Sequence, residues 1–395
     1  MRIVIVGPAY PLRGGNALYV AHLYEALQSN NNVEVISYSR LYPGFLFPGV
    51  RQTDVSSVPM KPHPAERVID SMNPFSWLKA AREAAAFNPD FLVVSWWNPF
   101  FGLVVWTINS RFKRATKKPV VIIAENVVSH EARWIDAILT SIALKTADAF
   151  LVLSKAVESR IRTLFPDRKV FRSSLPVYDC YLTAETVSGK DARHELNLDE
   201  KNVIMFFGYI RKYKGLMNLI EAMPEIKRGV PNLHLLIVGE FYDDPAEYKD
   251  AIERRGIADN VTIVNEYVPN EQVRRYFDAS NLVVLPYNEA TQSGILNIAY
   301  AFGKPVIVTD VGGLAELVQE GKTGYVVPAH DVNALARSVV RYFRENRELE
   351  FSNYIKRTHG GNDFKNVETV FEDIYKTLIE GRSGSSESTG PGGNS

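Results

Sequence analysis

Residues 282–316 read LVVLPYNEATQSGILNIAYAFGKPVIVTDVGGLAE. An apolar run, Leu282–Leu285, stops at Pro286, and a polar loop leads to Gly294. An apolar helical pattern, Ile295–Phe302, then ends at Gly303-Lys304, and a second apolar run, Pro305–Thr309, leads into Gly312-Gly313 and another helix start. Short strands apolar on both faces, alternating with helices, are the signature of a parallel sheet covered on both sides. The rhythm extends outward from this stretch. Val203–Phe207, Leu233–Val238, Val261–Asn265 and Tyr325–Val327 continue it in the second half. Arg2–Val6, Val33–Tyr38, Phe91–Ser95, Val120–Ala124 and Ala149–Leu153 repeat it in the first, with helices such as Asn16–Gln28 and Trp134–Thr146 between. Between Pro176 and Asn202 the alternation lapses into polar sequence. The expectation is an α/β protein of two doubly wound domains, 1–180 and 181–380. Phe364, Val367, Val370, Phe371, Ile374 and Leu378 form the apolar stripe of a last helix, free to pack back on the first domain. The Gly- and Ser-rich residues 381–395 are expected to be a disordered tail.

Composition narrows the function classes. The 395 residues are 46% apolar and 23% charged, as in an ordinary globular protein. Lys+Arg and Asp+Glu both total 45, so net charge gives no sign of a nucleic-acid partner, and none is expected. The zero hides an asymmetry: residues 1–180 carry 21 basic against 14 acidic side chains, and residues 181–395 carry 24 against 31. A single cysteine, Cys180, excludes an intramolecular disulfide framework and a cysteine zinc cluster, and the seven histidines show no metal-ligand spacing. No metal is expected. Ile3–Val6 is too short for a signal h-region, so a cytoplasmic protein is expected, with the inner membrane face as a peripheral site. The charge-free stretch Phe91–Ser110 is interrupted by Ser95, Asn98 and Pro99, which reads as strand, turn and helix rather than a membrane span.

Ligands of doubly wound sheets bind beyond the carboxyl ends of the strands. Three strand-end loops carry chemistry there. After the first strand, a long loop ends in Gly14-Gly15 ahead of a helix, where bare backbone N–H groups can meet a phosphate; a plain turn would look the same. After Val203–Phe207 comes Gly208-Tyr209-Ile210-Arg211-Lys212-Tyr213-Lys214-Gly215, whose cations suit a diphosphate or a solvated loop. In the opening stretch, Thr291-Gln292-Ser293-Gly294 offers hydroxyls, an amide and free backbone donors at a helix start, although an ordinary cap would explain Ser293 alone. Asp243-Asp244 reads as a solvated turn.

The segments GYIRKYKG (208–215), VGE (238–240), LPY (285–287), GKPVIVTDVGGLAELV (303–318) and EGKTGYVV (320–327) resemble family 4 of the retaining, nucleotide-sugar-dependent glycosyltransferases. ENVVSHE (125–131) and LKTADAFLVLS (144–154) resemble its acceptor-side segments. The nearest likeness is to members with Thr-Gln-Ser-Gly before the long helix. The resemblance implies the GT-B architecture, two Rossmann-like domains facing each other. It implies a nucleoside-diphosphate sugar as co-substrate, no further cofactor, and a glycan or lipid-linked acceptor. By the same resemblance Arg211 and Lys214 contact the donor diphosphate. Gly14, Gly15, Gly208, Glu240, Tyr267, Val268, Thr291, Gln292, Ser293 and Gly294 bind the donor. Glu125 and Asn126 lie on the acceptor side, and His130 is the candidate histidine beside the reacting sugar, Glu125 standing where many members have it.

One departure matters. Aligned on Gly303, the positions of the family's two donor glutamates are Ala290 and Ile298. Glu289 and Asn297 keep the same spacing one residue earlier, as sugar and ribose contacts if a gap compensates. This leaves open a nucleotide-sugar-binding protein without catalysis, and an NAD-dependent oxidoreductase is opposed by the missing GxGxxG. On the acceptor side, Trp96, Trp97, Phe100, Phe101 and Trp106, followed by Arg111, Lys113, Arg114, Lys117 and Lys118, suggest peripheral contact with an anionic membrane; core aromatics before a solvated helix end would read the same.

Overall fold

A computed structural model describes residues 1–47, 49–127, 134–183, 189–359, 364 and 366–381. The first half runs β1 (Arg2–Val6), α1 (Gly15–Gln28), β2 (Asn32–Arg40), β3 (Glu66–Asp70), α2 (Pro74–Ala86), β4 (Phe91–Trp96), α3 (Gly102–Thr116), β5 (Val120–Ala124), α4 (Trp134–Leu144), β6 (Ala149–Val152), α5 (Lys155–Leu164) and β7 (Lys169–Arg172). After α6 (Gly189–Glu195), the second half runs β8 (Asn202–Phe207), α7 (Leu216–Gly229), β9 (Leu233–Val238), α8 (Pro245–Arg254), β10 (Val261–Val264), α9 (Asn270–Ala279), β11 (Leu282–Leu285), α10 (Gly294–Ala301), β12 (Val306–Thr309), β13 (Gly324–Val327), α11 (Val332–Arg344), α12 (Glu348–His359) and α13 (Asn366–Tyr375).

Every strand pair is parallel. The first sheet has the order β3-β2-β1-β4-β5-β6-β7, the second β10-β9-β8-β11-β12-β13. Strand order reverses next to β1 in one sheet and next to β8 in the other, so the crevice that such reversals open lies at the ends of β1/β4 and β8/β11. The two strands not anticipated from sequence, β3 and β7, are edges. Their burial is mixed, ERVID and KVFR keeping charged side chains outside, so neither has the continuous apolar run of a central strand.

The central strands are buried on both faces. In the first sheet Val4, Leu92, Val94, Ile122 and Phe150 pack under α2, α3 and α4, where Ala84, Ile108, Phe112 and Ala143 meet them. On the opposite face Ile3, Ile5, Val93, Val121 and Leu151 pack against α1 and against Phe364, Val367, Phe371, Ile374 and Leu378. The last helix therefore closes the core of the first sheet, with Phe371 6.1 Å from Phe91 and Asn30 Nδ2 donating to Glu368 at 2.7 Å. Burying each of those five apolar side chains contributes roughly 1.5–3 kcal/mol.

Among the described residues no helix is long and apolar enough to cross a membrane. Residues 91–110 are strand, turn and helix, with Asn98 capping the turn through its Oδ1. One sequence expectation is corrected here. Trp96 and Phe101 are core residues, each 1% exposed, and cannot meet a membrane, because Trp96 ends the buried strand β4 and the turn after it carries Phe101 inward. Trp106 is exposed.

Candidate functional site

The carboxyl ends of the two sheets face a cavity of about 530 Å³. The second domain lines it with Gly208 at the end of β8, Lys214, Tyr287 and the loop 290–293 leading into α10. The first domain contributes Gly14, Gly15 and Tyr19 at the start of α1, Trp97 after β4, and Glu125 and Asn126 after β5. Glu240, Tyr267 and Val268 extend it past the ends of β9 and β10.

The loop before α10 is held from both sides. Gly215 has φ +65, and a Cβ there would lie 1.9 Å from the Pro286 carbonyl oxygen; Gly312 has φ +50, and a Cβ there would lie 1.7 Å from that of Ala290. Only glycine satisfies both the left-handed backbone and the close approach. Asn288 N–H donates to Tyr213 O at 2.7 Å and Gly313 N–H to Thr291 O at 3.0 Å. Thus fixed, Ser293 precedes α10 without capping it through its side chain, which leaves the first amides of an eight-residue helix directed at the cavity. Those amides and the helix dipole favour an anion.

Opposite them stands Lys214, 9% exposed, with its ammonium 5.5 Å from the Tyr287 ring. A Cβ on Gly208 would lie 3.3 Å from Lys214 Nζ, so the ammonium sits at the very end of β8. Burial, with Arg211 nearby as a second cause, lowers its pKa to about 8. Among the described residues no carboxylate pairs with it, and a buried cation beside free helix amides is a site for a doubly charged group. Arg211 itself rests at the margin, its guanidinium 4.9 Å over the Tyr242 ring.

Buried polar atoms are normally paired. Around this cavity several are not: Tyr19 OH, Glu125 Oε1, Gln292 Nε2, Asn297 Nδ2 and Arg13 Nε. Glu125 is the sharpest case. Among the described residues no cation offsets its burial, and its carboxyl is pushed up to about 8. At neutral pH it is a carboxylic acid, able to donate a hydrogen bond.

The cavity is bridged along one edge. Arg13 Nη2 donates to Glu240 Oε2 at 2.5 Å with both side chains buried, and Val50 N–H donates to Glu240 Oε1 at 2.6 Å. The Arg13 guanidinium lies 4.4 Å over Tyr267. Further along, Asn270 Nδ2 donates to Asp54 Oδ2 at 2.8 Å, Asn270 N–H donates to Ser56 Oγ at 2.9 Å, and Ser57 Oγ donates to Glu271 at 2.8 Å. Residues 49–58 of the first domain thus form a strap on the second. On the far side Glu316 accepts from Lys155 N–H and Ala156 N–H, at 2.9 and 3.1 Å, and caps α5 across the domain boundary.

Most of the residues singled out from sequence come together. Gly14, Gly15, Gly208, Lys214, Glu240, Tyr267, Val268, Thr291, Gln292, Ser293, Gly294, Glu125 and Asn126 all line the cavity. Asn297 is buried in α10 just behind it. Glu289 is exposed and does not line the cavity, whereas its neighbour Ala290 does. His130 lies outside the described residues. Arg13, Tyr19 and Tyr178 also line the cavity and escaped the reading; Arg13's place directly before the glycine pair was the available signal. Asp243 and Asp244 serve local structure, accepting from Tyr248 OH and Ala246 N–H. Among the described residues no group of three or more His, Cys, Asp or Glu side chains is placed to hold a metal. Cys180 is buried, with Sγ 3.6 Å from His22 Nε2.

Two family models match the chain: Glycosyltransferase Family 4 over residues 13–171 and Glycosyl transferases group 1 over residues 201–345. Among curated relatives, alpha-D-kanosaminyltransferase of Streptomyces kanamyceticus is 28% identical over 244 residues, 60% of each chain. D-inositol 3-phosphate glycosyltransferase of Segniliparus rotundus is 36% identical over 140 residues, 34% of this chain and 31% of the relative. The matches thus span less than two thirds of these relatives' lengths. Among solved structures, sucrose-phosphate synthase of Thermosynechococcus elongatus superposes with a TM-score of 0.72 at 20% identity, covering 96% of this chain and 99% of that one. HepE of Anabaena, solved with UDP-glucose, superposes with a TM-score of 0.71 at 16% identity, covering 96% and 100%. At such identities these structures speak for the fold alone. With one model on each half and two parallel sheets face to face, the chain belongs to the group 1, family 4 glycosyltransferases of the GT-B fold.

Proposed function

We propose that the chain is a retaining glycosyltransferase that moves a sugar from a nucleoside diphosphate to a hydroxyl of a glycan or lipid-linked acceptor. The observation that carries this reading is the convergence of Lys214 and the uncapped amides of α10 in one interdomain cavity. As the bond from sugar to diphosphate breaks, negative charge grows on the leaving phosphate, and groups already aimed at that charge stabilise the transition state. Each charge-assisted hydrogen bond there contributes about 1.5–3 kcal/mol, one to two decades of rate. Gly14 and Gly15 bring the first domain's backbone against the same anion. Arg211 reaches it by leaving the Tyr242 ring. Tyr267 and Val268 flank the nucleoside, Glu240 borders it, and Gln292 and Asn297 supply donors to sugar or ribose.

A glycoside hydrolase with retention would need a close carboxylate pair. Burial holds Glu125 as a neutral acid, which does not suit a carboxylate nucleophile. It acts instead as a donor to a sugar or acceptor oxygen, with Asn126 beside it. The acceptor hydroxyl enters on the leaving-group face and gives its proton to a phosphate oxygen of the donor, as the resemblance implies.

The test is a binding and slow-hydrolysis screen of UDP-, GDP- and ADP-sugars. At least one should bind, and Lys214→Ala should weaken it by ten- to a hundredfold, the loss of one charged contact. Unchanged affinity in that variant refutes the diphosphate site. A second reading, donor binding without transfer, is favoured by Ala290 lining the cavity where the resemblance places a glutamate. It requires tight donor binding and neither hydrolysis nor transfer.

A further inference from the structure

Three polar side chains from separate parts of the chain meet inside the cavity with hydrogen-bonding capacity to spare. Tyr19 lies on α1 one turn beyond Gly15, so the two share a face of the helix. Glu125 follows β5, and Tyr178 belongs to the connection between β7 and α6. All three line the cavity. Tyr19 and Tyr178 are almost wholly buried, 1% and 2% exposed. Among the described residues Tyr19 OH and Glu125 Oε1 have no hydrogen-bond partner. Burial above all, then the neighbouring Glu125 and Tyr178, raises the Tyr19 pKa well above its ordinary value, so the three groups act on one another.

Packing holds each of them. The Tyr19 ring meets Phe364 edge-on with centroids 5.8 Å apart, the Tyr178 ring meets His22 at 5.4 Å, and the Glu125 N–H donates to Trp96 O at 3.0 Å. A buried oxygen without a partner is costly, and an apolar side chain of the same shape would avoid that cost. Two such oxygens on fixed supports in one cavity point to a ligand that pairs with them. Their place tells which part of it. A Cβ on Gly294 would lie 3.2 Å from Tyr178 Cε2 and 4.0 Å from its OH, so this phenol adjoins the start of α10, whose amides favour an anion. Gly15, one turn from Tyr19, lines the cavity beside it. The cluster thus borders the phosphate end of a nucleoside-diphosphate sugar, where the sugar is attached. Phenols and a protonated carboxyl both donate and accept, as sugar hydroxyls do. In the same cavity Ala290 supplies only a methyl group.

We propose that Tyr19, together with Glu125 and Tyr178, hydrogen-bonds the hydroxyls of the transferred sugar and sets which sugar the chain accepts. The first domain and the connection after it read the sugar, while Lys214 and α10 hold the diphosphate. A site built to pair with a hydroxyl rejects a ring that lacks it or turns it elsewhere, because the site's own buried groups are then left unpaired. This inference rests on the proposed transferase function.

The test is calorimetry of the full chain with UDP, GDP and ADP and with UDP-glucose, UDP-galactose, UDP-N-acetylglucosamine, GDP-mannose and ADP-glucose. At least one sugar ester should bind tighter than its own nucleotide. Tyr19→Phe, which deletes a single oxygen, should weaken that ester by roughly three- to tenfold and leave the bare nucleotide unchanged. Glu125→Leu should act in the same way. Neither variant should melt below wild type, since each removes an unpaired buried oxygen. Esters that bind no tighter than their nucleotides, an ester affinity indifferent to both variants, or equal weakening of ester and nucleotide would overturn the proposal. A lowered melting temperature in Tyr19→Phe would do the same, by giving the hydroxyl a structural partner. If nucleotides bind and the sugar adds nothing, the proposal falls alone. If no nucleotide and no ester binds, the transferase reading falls and takes the proposal with it.

Discussion

Glu240→Ala would leave Arg13 without its carboxylate and Val50 N–H without its acceptor. The Arg13 and Glu240 side chains are 4% and 7% exposed. Breaking so buried a pair by deleting one partner costs about 3–5 kcal/mol, and an orphaned buried amide costs about 1–3 kcal/mol more. This charge has an escape, however: opening the cleft returns Arg13 to water without unfolding either sheet. The loss should therefore fall on the closed arrangement. About 3 kcal/mol is the lower bound, a shift of more than a hundredfold toward open molecules. Hydrogen exchange reads this locally. The Val50 and Asn270 amides, which hydrogen-bond across the boundary to Glu240 and Ser56, should exchange far faster in the variant. Amides of β8 and β11 should keep their wild-type rates. Small-angle scattering should show a larger radius of gyration, and Glu240→Gln, which retains an acceptor, should fall between. If the Val50 amide exchanges at the wild-type rate in Glu240→Ala, the clasp does not hold the cleft and the reasoning fails.

Other expectations follow from the same geometry. The Glu125 carboxyl lies near 8 in the folded chain against an ordinary 4.5, so its contribution to stability is fully present below about pH 4.5 and is lost as pH rises toward 8. Glu125→Gln should remove that slope, gaining up to a few kcal/mol over wild type at pH 8 and nothing at pH 4.5; parallel urea profiles at both would contradict it. Because the Lys214 pKa is near 8, affinity for a nucleoside diphosphate should decline above that pH, and calorimetry showing a flat profile to pH 9.5 would remove Lys214 from the site. Gly215→Ala should destabilise by more than about 2 kcal/mol, through left-handed backbone and the clash with Pro286, and an unaltered melting temperature would refute the pinned loop. Turnover should survive EDTA; activity lost and then restored by Mg²⁺ would place a metal in the site.

The fold was legible where burial is two-sided. Val93 and Val283 sit in strands that are apolar at nearly every position, which only a covered parallel sheet explains. Glu66–Asp70 and Lys169–Arg172 were not legible because edge strands keep polar faces. In the site, Lys214 and Ser293 could be found because each lies in the loop between a strand's carboxyl end and the next helix, where ligands of such sheets bind. The Arg13–Glu240 bond joins residues 227 positions apart, and no local pattern records it. Glu125's protonation state was likewise invisible, since it depends on what is packed around it. The aromatic run from the end of β4 into α3 misled for the opposite reason: Trp96 and Trp106 are the same residue type, and only their places, one in a covered strand and one on the outer side of a helix, decide which faces water.

The position of α13 has a consequence for how the molecule is made. Its side chains complete one face of a sheet whose strands end at Arg172, so the part of that face that α1 does not cover stays bare while the second half of the chain is still being synthesised. The domain translated first is finished last. A premature stop ahead of Val367 would damage the half of the protein farthest from it in sequence, and leave intact the half in which the stop occurs.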